Sequence, residues 1–198
     1  MPTESSDTVT SVYQAVAQPL LGIAELCRFR REGFARFDFG WYGFWQSWSA
    51  LPFAAAPFAI NAKMFAVLAA PQGSKVISLW QSILVFAASW LAYVVLFLLV
   101  TRLLMLSRGT LATLMVLNWL RLFKQLAVMP LLLLAGAGAL PPSLFAMLYL
   151  ALGLFLISVE VYILRIALGA TLVQAIGFVV LDELVSRILV HGFQFLLR

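Results

Sequence analysis

Six charged residues of the second half of this chain fall where its apolar segments should face the bilayer: Arg121, Lys124, Glu160, Asp182, Glu183 and Arg187. A charge near the centre of a bilayer costs at least about 2.5 to 3.5 kcal/mol, so such residues face one another or a water-filled cavity. Facing a cavity, they would form a proton or ion relay or a polar binding pocket. Facing one another, they would clip helices together, and equal numbers of each sign favour that arrangement. Arg121 lies 20 residues before Pro141 and Glu160 lies 19 after it. A hairpin folded at Pro141-Pro142 therefore puts both at one depth and predicts an Arg121–Glu160 pair. Glu183 and Arg187 form an i,i+4 pair on one helical face, whereas Asp182 has no oppositely charged residue at that spacing.

Other reactive side chains are few. Cys27 and His191 are the single cysteine and the single histidine, which excludes an internal disulfide and any metal site built on paired thiolates. A haem would have to use His191 with a methionine or an exogenous ligand. Cys27 lies in a segment expected at the membrane surface, where it reads as a site of acylation or as a small apolar side chain. No phosphate-binding Gly-Lys-Ser/Thr loop, nucleophile elbow, His-Glu-x-x-His or selectivity-filter signature occurs. The expectation is a protein without catalytic residues, cofactor or metal.

The elements that position these groups follow from composition. The chain has 198 residues, 64% hydrophobic and 11% charged, with a mean hydropathy of +1.02. Soluble domains are nearer half apolar and about a quarter charged. An all-α, polytopic transmembrane helical bundle follows. The net charge of +5 serves topology first, since Lys and Arg concentrate on the cytoplasmic side of spans, and nucleic acid is not an expected partner.

In order, residues 1–10 read as a disordered polar tail and 11–38 as a cytoplasmic amphipathic helix lying at the interface. Its basic end, Arg28, Arg30, Arg31 and Arg36, forms a membrane-surface patch that places the N-terminus in the cytoplasm. Residues 39–198 read as a domain of about five spans. The first opens with Trp41, Trp45 and Trp48 at i, i+4 and i+7, an interfacial aromatic face or a surface for a pigment or quinone. It runs to about residue 60, with residues 61–75 as an external connection that ends in the turn Pro71-Gln72-Gly73-Ser74. The second span covers about residues 76–105. The third begins near 110, with residues 111–119 projecting toward the cytoplasm and Asn118 and Gln125 available as interhelical hydrogen-bond glue. The fourth covers about 143–164 and the fifth about 170–190.

Asn118-Trp119 in the third span and Arg165-Ile166-Ala167-Leu168-Gly169-Ala170 between the last two, within a five-span layout, resemble the Yip-like class of bacterial membrane proteins, in particular small five-span members from alphaproteobacteria. For the eukaryotic Yip proteins the resemblance implies a non-enzymatic role in membrane organisation through small-GTPase and partner binding. It carries over no site residue. The expected function is that of an inner-membrane accessory, assembly or scaffold subunit contacting lipid and other membrane proteins or a larger complex. The alternative is a small oligomeric transporter or channel with a carboxylate/arginine ion path.

Overall fold

Among the described residues, seven α-helices account for most of the backbone, and their boundaries follow the local chemistry of the chain. The computed structural model describes residues 4–69, 78–106 and 109–196; for 4–14, 69 and 190–196 the description extends to the backbone. The expected turn at Pro71-Gln72-Gly73-Ser74, the loop cation Arg108 and the His191 side chain lie outside it. Helix α1 spans Glu4–Leu26, α2 Trp41–Ser47, α3 Ala50–Ala69, α4 Leu79–Leu103, α5 Thr110–Gly136, α6 Pro142–Ala167 and α7 Leu172–Leu196. Ser78 caps α4: its hydroxyl accepts from the Gln81 backbone N–H while the Gln81 side chain accepts from the Ser78 N–H. Pro142 opens α6 at the position where a missing backbone donor does no harm.

Among the described residues, α2 with α3 (28 residues), α4 (25), α5 (27) and α6 (26) are long and apolar enough to cross a membrane. This is a multi-pass, all-helical membrane protein. The count is one below the five expected from sequence. Helix α7 has 25 residues, but Asp182, Glu183 and Arg187 interrupt its apolar run.

Helix α5 is the hub. It packs on α1, α2, α3 and α6, touches α4 lightly, and α7 closes the far side against α4 and α6. Residues 113–120 of α5 are buried without a break. Helices α1 and α2 sheathe these turns. Ile23 and Leu26 of α1, Ala50 and Ala54 of α3, and Val159 and Ile163 of α6 join the same core, fully enclosed.

The N-terminal segment differs from the single helix expected over 11–38. Helix α1 begins at Glu4, within the segment read as a disordered tail, and ends at Leu26. The chain then reverses at Phe29, which has φ +57°, and a short 3-10 turn, Arg31–Arg36, folds back along α1. Gly22 and Gly33 make the reversal: a Cβ on Gly33 would sit 2.6 Å from the Gly22 carbonyl oxygen. Backbone lies against backbone there, which any side chain would prevent. Sequence periodicity could not reveal that approach.

The first span is also longer than expected. Helix α3 continues through Asn61 and Met64 to Ala69 instead of giving way to an external connection at residue 61. Its internal Pro57 is tolerated as prolines in membrane helices generally are.

Candidate functional site

Helix α5 carries Asn118, Arg121, Lys124 and Gln125, and at about 100° per residue these four fan across roughly a third of the helix circumference. Each reaches a different neighbour. The indole Nε1–H of Trp90 on α4 donates to Asn118 Oδ1 (3.0 Å), the Asn118 amide donates to Ser47 Oγ (3.2 Å), and the Ser47 hydroxyl donates to the Phe44 carbonyl (2.7 Å). This relay joins α4, α5 and α2, with Trp90, Asn118 and Ser47 all buried. Each bond polarises the next. Asn61 of α3 donates to both the backbone carbonyl (2.9 Å) and the side-chain oxygen (3.1 Å) of Gln125. Amide glue between helices, anticipated from Asn118 and Gln125, is what the side chains form.

The ion pairs exchange the expected partners. Arg121 pairs with Asp182 of α7, and Lys124 pairs with Glu160 of α6. The Arg121–Glu160 pair is therefore corrected. Residue counting from the prolines fixes depth along the helices but not azimuth, and Arg121 points away from α6 toward α4 and α7. Its guanidinium lies over the Tyr93 ring at 4.1 Å and the Trp90 ring at 5.5 Å, an arrangement that favours a desolvated cation. Lys124, three residues on, covers the difference of about 4.5 Å in depth with its long flexible stem. Asp182, which has no partner within its own helix, finds one 61 residues away.

Six residues expected as one cluster thus divide. Arg121, Asp182, Lys124 and Glu160 form two cross-helix pairs in the interior, with Glu160 2% exposed. Glu183 and Arg187 form the anticipated i,i+4 pair at 2.8 Å, but on the exposed surface of α7. Three buried polar atoms, Trp48 Nε1, Asn61 Oδ1 and Tyr93 Oη, have no hydrogen-bond partner among the described residues. Tyr93 is the one that borders the Arg121–Asp182 pair, a role not legible from its place in an apolar run.

The aromatic face also divides. Trp41 and Trp45 are exposed and meet edge to face at 5.6 Å. Trp48 follows the end of α2 and packs against the core, with Phe44 at 6.3 Å. Trp48 therefore does not belong to a common exposed face.

Of the basic patch, Arg36 is engaged: it donates to Glu25 Oε1 (2.6 Å) and to Gln18 (3.1 Å). The hydrogen bond from Arg36 holds the Glu25 carboxyl below its ordinary value. Arg28, Arg30 and Arg31 have no carboxylate partner among the described residues. Burial pushes the Cys27 thiol up to about 11, which suits an inert side chain better than a nucleophile. Among the described residues no three of His, Cys, Asp and Glu gather as metal ligands would. No family model, curated protein or solved structure matches the chain.

Proposed function

We propose that this protein is a non-enzymatic accessory, assembly or scaffold subunit of a bacterial inner membrane. The observation that carries this reading is the pairing of the interior charges. Arg121 with Asp182 and Lys124 with Glu160, together with the Trp90–Asn118–Ser47 relay, hold α2, α4, α5, α6 and α7 to one another. Groups bound in this way serve the bundle, and the exposed apolar side chains outside it provide contact area for lipid and for other membrane proteins.

Helix α7 is the fifth span in this proposal. Asp182 is neutralised by Arg121, and Glu183 by Arg187 within the helix, so its apparent polarity overstates the cost of insertion. Arg28, Arg30, Arg31, Arg36, Arg102 and Arg165 then lie at one end of the spans, and the excess of cations assigns that end, with the N-terminus, to the cytoplasm.

Gentle detergent extraction followed by sizing and mass spectrometry tests the reading. Co-migration in fixed stoichiometry with a larger membrane complex is expected. A second reading, a proton or ion path, rests on the unpartnered Tyr93 hydroxyl beside Arg121. Recovery as a lone homo-oligomer, with an ion flux that Asp182→Asn abolishes while assembly persists, would overturn the accessory role in favour of that path.

A further inference from the structure

A cleft of about 560 Å³ opens where the 3-10 turn after α1 meets the corner between α6 and α7. Arg31 enters it from the turn, Arg165 from the last turn of α6, and no carboxylate lines it among the described residues. Neither arginine has an ion-pair partner among those residues; Glu32, beside Arg31, pairs with neither. Arg28 and Arg30 also lack a carboxylate among the described residues; Arg31 and Arg165 differ in lining one cleft together, a setting that suits an anion.

The position of Arg31 is built rather than incidental. The Tyr162 hydroxyl donates to the Phe29 carbonyl (2.8 Å), and the Phe29 ring stands edge to face with Tyr162 (5.3 Å) and Phe155 (6.4 Å). Phe29 holds the left-handed conformation that reverses the chain, and α6 fixes it there two residues before Arg31. Leu172, which also lines the cleft, opens α7; the Thr171 hydroxyl there accepts from the Gln174 N–H, and the helix end favours negative charge.

We propose that this cleft binds the phosphate headgroup of an anionic phospholipid, with Arg31 and Arg165 as the phosphate ligands and Tyr162 as a positioning residue. A free phosphate would use the same two guanidinium groups, but α6 supplies a reason to choose the lipid. Leu150, Leu154 and Ile157 are exposed apolar side chains, and at helical spacing they share one stripe with Val161 and Arg165 of the cleft. Acyl chains lying along that stripe bring their headgroup to the arginines. Basic pockets among membrane helices recognise anionic headgroups by this combination. The inference rests on the chain being embedded in a bilayer and is independent of the accessory role.

The test uses the full chain in detergent and native mass spectrometry with added phosphatidylglycerol, phosphatidylcholine or inorganic phosphate. One saturably retained phosphatidylglycerol is expected, with phosphatidylcholine binding more weakly and inorganic phosphate failing to displace the lipid at matched concentration. Arg31→Gln and Arg165→Gln each weaken retention about tenfold or more, the scale of one charge-assisted hydrogen bond. Both side chains are exposed, so elution volume and thermal unfolding stay unchanged. Arg102→Gln, a cation outside the cleft, retains the lipid. Tyr162→Phe reduces retention less than either arginine change. Equal retention of phosphatidylcholine, or equal loss in Arg102→Gln, would overturn the site. Displacement of the lipid by inorganic phosphate would assign it to the free anion.

Discussion

The interior of the bundle and its basic end use the same cations in opposite ways. Inside, Arg121 and Lys124 each hold a carboxylate from a different helix. At the end, Arg31 and Arg165 line one cleft that has no carboxylate in it among the described residues. The difference is one of solvent. In a medium of low dielectric an unpaired charge is intolerable, so every interior cation must find its counter-ion within the chain. At the membrane surface, water and headgroups supply it, and pairing becomes optional. A pair in the interior is therefore a requirement of folding, whereas an unpaired arginine at the surface is a place for something else to bind.

The sharpest way to break this contrast is to remove one interior partner. Lys124→Ala strands Glu160, which is 2% exposed, and is expected to destabilise the protein by about 3 kcal/mol or more. Thermal unfolding in detergent measures the loss, and the exchanged pair Lys124→Glu with Glu160→Lys recovers part of it. A single Lys124→Ala variant as stable as the parent would dissolve the distinction between the two regions.

A smaller effect is expected at Asn118. Asn118→Ala leaves the Trp90 indole N–H and the Ser47 hydroxyl without this partner and should cost about 1 to 3 kcal/mol. Ser47 keeps its bond to the Phe44 carbonyl, so Ser47→Ala should cost less than Asn118→Ala. The reverse order would mean that the relay is not organised around the amide.

The smallest effect is a reactivity difference at Cys27, between the two regions. With its thiol pushed up to about 11 by burial, alkylation at pH 8 should run at least about tenfold slower in the folded protein than after unfolding. Equal rates would show that α1 does not dock on the bundle as described.

The helices, the hairpin at Pro141-Pro142 and the Glu183–Arg187 pair were legible because each depends on local periodicity or on residues that restrict the backbone. Partners across helices were not. Arg121 and Glu160 agree in depth, but α5 is rotated so that Arg121 meets the aromatic rings of α4, and no count along one chain contains that rotation. The reversal at Phe29 was hidden for a similar reason. It depends on Gly22 and Gly33 meeting backbone to backbone, and glycine spacing announces no such contact. The fifth span remained ambiguous because the partner that neutralises Asp182 lies on another helix, whereas hydropathy treats each segment alone.

The order of residues within the two interior pairs has a consequence for how the protein is made. Both cations stand on α5, and their carboxylates follow 36 and 61 residues later. At roughly 5 to 20 residues per second, α5 emerges from the ribosome several seconds before Asp182 has been synthesised. Lys124 lacks its counter-ion until Glu160 is made and Arg121 until Asp182 follows, so the third hydrophobic segment meets the membrane carrying charges whose cost is not yet offset. The C-terminal helices thus complete the pairing of a hub made before them, and a polypeptide truncated before α7 lacks Asp182 and leaves Arg121 without its counter-ion.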